Sequence, residues 1–137
     1  VHRHSFADAA SPAECTALYY NALQNKKVLI LGHIGRSGLP FEIDPVLLAA
    51  KERNKLIEIN EHSLEDTNHC ITRCRKIAER CAELGVSISI SSDAHFATAI
   101  GKYDKVKKML SEIHFPEELI ATRSKESFLN AMKMAGL

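Results

Sequence analysis

Apolar residues along this chain alternate between two spacings. Residues 28–32, 56–60 and 86–90 are short, largely apolar runs rich in β-branched residues. Each is bounded by glycine or polar residues, so each predicts a buried strand. The segments between them have helical spacing. Ser11-Pro12-Ala13-Glu14 offers an N-cap, a first-turn proline and an early acid, opening a helix that runs to about Asn25. Asp44-Pro45 starts a second helix, with Val46, Leu47, Ala49 and Ala50 as its apolar stripe. A long helix from about Asp66 to Leu84 stops at Gly85, where glycine suits the residue after the last turn. Lys102 to Ile113 reads as a basic amphipathic helix, Leu119 to Thr122 as a short fourth strand, and Ser124 as the cap of a last helix ending near Ala135-Gly136.

Repeated strand–helix units imply a parallel sheet with right-handed crossovers. A closed eight-unit barrel takes about 250 residues, so four units make a small open sheet or the C-terminal portion of a larger barrel. No repeat, low-complexity tract or linker divides the chain, which reads as a single domain over residues 1–137.

Apolar content of 45% and charged content of 26% are those of a globular protein. A net charge of +1 predicts neither a nucleic-acid footprint nor attraction to membranes. The longest apolar runs fall far short of the roughly 18 residues a spanning helix needs. Of the four cysteines, Cys70, Cys74 and Cys81 share one helical face beside Ile77, Ala78 and Leu84. Their spacing fits no close-paired zinc pattern, and buried structural thiols are expected. Reduced thiols without a secretion signal point to the cytoplasm, and an opening Val1 in place of methionine leads us to expect sequence upstream.

The chemistry gathers where strands end. Ser91-Ser92-Asp93-Ala94-His95 follows the third apolar run directly, and a carboxylate and an imidazole two residues apart on such a loop can converge on one divalent cation. His33 follows the first run between Gly32 and Gly35, whose small size allows close backbone approach. Glu58 lies inside the second strand, and Asn60, in phase with it, points to the same face nearer the strand end. Arg36 and Arg123 sit just beyond strand ends, where a guanidinium can grip a phosphate. His2 and His4 form a pair at the start of the chain; His62 and His114 read as loop residues and His69 as a helix-surface residue.

Several of these segments resemble the PHP family, named for polymerase and histidinol phosphatase domains, and above all its stand-alone bacterial metallophosphoesterases. Gly32-His33-Ile34-Gly35 is similar to the family's Gly/Ser-His-Pro-Gly loop, with Ile34 in place of proline. Phe41-Glu42-Ile43-Asp44 resembles the entry to its next helix, and Leu56 to Leu64 its Leu-Glu-Ile-Asn-Asn-x-Ser-Leu element. Ser91 to Phe96, followed by Ile100-Gly101, resembles its last metal motif, and Phe115 to Ile120 its terminal unit.

The resemblance implies an α/β fold: the C-terminal portion, about four βα units, of a distorted (β/α)7 TIM-like barrel. It implies that His33, Asp93, His95 and His2 are metal ligands, with His4 as the fallback for His2. Asn60 and Arg36 would orient groups or bind substrate. The cofactors implied are divalent ions, zinc or manganese, up to three in a complete site and fewer here. The family's opening His-x-His pair, its Asp-His motif and its bridging glutamate have no counterparts in the chain. The activity implied for the complete protein is phosphoesterase hydrolysis of a phosphorylated small molecule by metal-activated water, with this segment weak or inactive alone. Two other readings stand beside it: an inactive barrel fragment that self-associates as a homodimer through an exposed edge, and a polymerase-type domain linked to nucleic acid, against which the neutral charge argues.

Overall fold

The computed structural model describes residues 11–65 and 67–137; His2 and His4 lie outside them. Among the described residues three strands form one parallel sheet in the order β1 (Ile30–Leu31), β2 (Leu56–Asn60), β3 (Ile88–Ser91). Ile30 pairs with Leu56, Ile57 with Ile88 and Asn60 with Ser91. The ladder runs past the short β1, because the Leu56 amide donates to the Leu29 carbonyl at 2.8 Å. Among the described residues five helices accompany the sheet: α1 (Pro12–Gln24), α2 (Ile43–Glu52), α3 (Asn68–Leu84), α4 (Asp104–Glu112) and α5 (Lys125–Met134). None is long and apolar enough to cross a membrane.

Local chemistry starts and stops these helices where the sequence predicts. Ser11 and Glu14 form a reciprocal capping box at α1, Thr67 caps α3 and Ser124 caps α5. Gly85, at φ 68°, closes α3 in the left-handed region that glycine enters without a steric cost.

Strand alternation divides the sheet into unlike faces. Leu31, Ile57, Ile59 and Ile88 join Tyr19, Leu47, Ile77 and Val106 in the hydrophobic core under the helices. The opposite face carries Glu58 and Asn60 beside Ser89 and Ser91. An apolar face drives folding by removing area from water, while the polar face is left to do chemistry.

The fourth strand expected at residues 119–122 does not form. Ile120 makes a single parallel bridge to Ile88, between 3-10 turns at Glu117–Leu119 and Ala121–Arg123. The Arg123 guanidinium donates to the carbonyls of Glu117, Glu118 and Ile120, drawing the segment into turns. The Thr122 hydroxyl then accepts the Ile90 amide at 2.8 Å, where a strand would have offered a carbonyl. Among the described residues the sheet is therefore three-stranded and open.

Candidate functional site

The ends of all three strands are tied together by one side chain. Glu58 Oε1 accepts the Ser91 hydroxyl at 2.6 Å, and Oε2 accepts the backbone N–H of His33 at 2.7 Å. The Asn60 amide stands 3.4 Å from Glu58 Oε2 and 3.5 Å from Asp93 Oδ2. Its own oxygen accepts the Ser63 N–H at 2.7 Å, so this side chain, only 1% exposed, has a use for both ends. Arg36 closes the network with a 2.9 Å ion pair to Asp93. Of the two carboxylates here, Asp93 has the guanidinium and Glu58 has neutral donors, with the Asn60 amide beside both.

Backbone conformation singles out two of the candidate ligands. Four non-glycine residues among those described have positive φ. Asn54 and His114 follow the ends of α2 and α4, the ordinary place for such a turn. His33 (φ 35°) and Asp93 (φ 49°) instead sit at strand ends, where nothing about terminating a helix calls for it. Holding a non-glycine residue there costs about 1 kcal/mol, and such strain gathers at functional sites.

His95 is exposed, with Nδ1 2.9 Å from the Asp93 carbonyl oxygen. A carbonyl only accepts, so Nδ1 is the donor, and in the neutral ring this leaves the lone pair on Nε2, the arrangement a ligating imidazole needs. The His62 ring stands 5.1 Å from that of His95, a juxtaposition of the 61–65 turn with the 92–99 loop that their sequence separation hides. These two segments and the start of α4 enclose an open cavity of about 540 Å³ that shares Asp93 with the network and is also lined by His95.

Two residues at this site were missed by sequence reasoning in their actual roles. Glu58, read as lying within a strand, is the hub that joins three strand ends. Glu61, 8% exposed, accepts the Lys105 N–H at 2.9 Å and the Val106 N–H at 3.0 Å. It caps α4 from another element, because Tyr103 provides no side-chain cap there. The absence of Ser, Thr, Asp or Asn before that helix was the available signal. Arg123 is not part of the site; its guanidinium is occupied with loop carbonyls.

Imidazole and carboxylate are suitable donors for a borderline divalent cation. Among the described residues, however, no three His, Cys, Asp or Glu side chains converge to hold one. The donor types fit; the number does not close a coordination shell.

The chain is similar to proteins named probable phosphatases. One from Clostridium acetobutylicum is 38% identical over 122 residues, covering 88% of this chain and 50% of the relative. Another from Clostridium botulinum (strain Hall) is 38% identical over 126 residues, 92% of this chain and 52% of the relative. A third, from Aliivibrio fischeri, is 38% identical and covers 98% of this chain and 55% of the relative. No protein-family model matches the sequence. The chain spans about half the length of the curated relatives it matches, and over that half it is similar to probable phosphatases.

Proposed function

We propose that this chain is the C-terminal, ligand-bearing portion of a PHP-type metal-dependent phosphoesterase with a barrel fold. The observation that carries the reading is the convergence of three strand ends on the Glu58–Asn60–Asp93–Arg36 network, with two candidate ligands in left-handed backbone. Strand C-terminal ends are where parallel α/β folds place their chemistry. Similarity to probable phosphatases supports the choice of reaction.

In this reading Asp93 supplies an oxygen donor, His33 and His95 supply nitrogen donors, and further donors come from outside the described residues. Bound zinc or manganese would supply an activated water and positive charge against the developing phosphate charge. Arg36, beside Asp93, offers planar fork donors that match phosphate oxygens. Glu58 and Asn60 hold the strand-end loops in register, so that the donors are placed before substrate arrives. His95 keeps its Nε2 lone pair available through the Nδ1 hydrogen bond.

The test couples metal binding to hydrolysis. Manganese or zinc titrated into the protein should bind at least about tenfold more weakly after Asp93→Asn or His95→Ala. Hydrolysis of p-nitrophenyl phosphate should stop with a chelator and return with the metal. Turnover by the 137-residue segment alone is expected to stay below about 1 per second. Metal binding indifferent to both substitutions, or hydrolysis untouched by chelation, overturns the reading.

A second reading has an observation of its own. Among the described residues β1 pairs only with β2, and Ile30 on that strand is 36% exposed. An open edge with an uncovered apolar side chain favours self-association through β1.

A further inference from the structure

We propose that Arg36 is a resident counter-ion of Asp93 that a divalent cation has to displace, so that Arg36 sets how tightly the strand-end site holds metal. The inference rests on the phosphoesterase reading and adds to it the residue that regulates metal binding.

Placement is the first argument. Arg36 ends the short 3-10 turn Ile34–Arg36, whose N-cap is His33, and its backbone N–H donates to the His33 carbonyl at 3.0 Å. One turn after β1 therefore carries both a candidate nitrogen donor and a guanidinium. Asp93 lies beyond the end of β3, and β2 separates the two strands in the sheet. The 2.9 Å pair between Arg36 Nη2 and Asp93 Oδ2 thus bridges the loops of two strands that do not pair with each other. Both of those loops carry residues that the phosphoesterase reading makes metal donors.

Charge is the second. Among the described residues Arg36 is the ion-pair partner of Asp93, and the Asn60 amide, 3.5 Å from the same oxygen, is neutral. Glu58, the other carboxylate of the network, is met by the Ser91 hydroxyl and the His33 N–H, both uncharged. A divalent cation drawn to Asp93 therefore meets a carboxylate whose charge is already matched. With Arg36 in place, two cations share one carboxylate and repel each other; with Arg36 displaced, the stabilisation of the pair is lost. Either way metal binds more weakly than beside a neutral side chain at this position.

Freedom to move is the third. Arg73 is held by the Leu39 carbonyl and the Phe41 ring, and Arg123 by the carbonyls of its own turn. The side-chain hydrogen bond of Arg36 goes to Asp93. With 23% of the Arg36 side chain and 30% of the Asp93 side chain exposed, the guanidinium can leave without opening the core. Once off Asp93 its planar fork is available to phosphate oxygens, the role the phosphoesterase reading gives it.

Zinc titrated into the isotope-labelled chain, followed by NMR, tests this in the wild type and in Arg36→Gln. Amide signals of His33, Asp93 and His95 report affinity, and the Arg36 side-chain Nε–H signal reports the guanidinium. Arg36→Gln is expected to bind zinc about fivefold or more tightly, the scale of one partly exposed ion pair removed from competition. In the wild type the Arg36 Nε–H signal should move in step with the amide signals as zinc saturates. Arg36→Met, equally neutral, is the second variant should Arg36→Gln fail to fold, and the same gain is expected of it.

A merely structural pair gives the opposite sign, because loops out of register bind zinc less well. Equal or weaker binding by the neutral variants, or an Arg36 signal that stays in place while the amides move, overturns the inference and leaves the phosphoesterase reading standing. No response to zinc at His33, Asp93 and His95 overturns both.

Discussion

Glu58 brings two carboxylate oxygens to the one place where three strand ends meet, and both are used. Gly35 meets a different requirement nearby. A Cβ built there would lie 2.5 Å from Cys74 Sγ and 3.2 Å from Cys74 Cα, so the loop after His33 packs directly on α3. Its value is thus close packing as much as presentation of the imidazole. Gly35→Ala is expected to cost about 1–3 kcal/mol by overpacking, read from urea unfolding; an unchanged midpoint would refute the tight contact. Of the three cysteines expected to be buried on α3, two are, while Cys70 is only partly buried. Cys74 and Cys81 are buried free thiols, and burial pushes their pKa values up to about 11 and about 12. They remain protonated near neutral pH, unlike the thiolates that bind zinc.

Elements hold the site through contacts that no single element contains. The loop from Asp93 to Tyr103 hangs between β3 and α4, and α4 is fastened at its start by Glu61 from the turn after β2. Lys105 reinforces the fastening by pairing with Glu65 at 3.1 Å. Glu61→Ala would strip two first-turn N–H groups of their acceptor and is expected to destabilise the chain by about 1–2 kcal/mol. Glu61→Gln, which retains one good acceptor, should recover part of that. Equal stability of all three proteins in denaturant titrations would show that α4 needs no such cap. At the other end of β2, α5 has no fully buried residue and is anchored by Asn54 and Lys55 donating to the carbonyls of Met134 and Ala135.

At the scale of the molecule, a three-stranded sheet with one helix-covered face and one polar face is an open structure. Among the described residues its β1 edge is short and single-paired, and native proteins generally cover or blunt such edges. If self-association through β1 is the chain's own way of covering it, light scattering should report a dimer that Ile30→Lys converts to monomer. A monomer at all concentrations would leave that edge to some other cover and remove the second reading.

The order of elements was legible in the residues because apolar periodicity and capping chemistry are local. β2 occupies the very residues its apolar run marks, and α1, α3 and α5 begin next to the serine or threonine that caps them or within two residues of the expected start. The candidate chemistry at His33, Asn60, Asp93 and Arg36 was legible for a related reason: polar residues that follow a buried strand have one end of the sheet to occupy. What the residues could not reveal depends on neighbours far away in the chain. Arg123 turned a strand-like segment into 3-10 turns by capturing carbonyls, against the period-based expectation. Glu58 became a hub only when His33, Asn60 and Ser91 were brought around it, and Glu61 a cap only when α4 arrived above it. Sequence by itself determined the strand–helix alternation and the candidate donors, since both follow from each residue's own size, polarity and spacing. Tertiary structure alone decided which donors share a network and which cavity they open onto, because hydrogen bonds and ion pairs act over a few ångströms of space, whatever the separation along the chain.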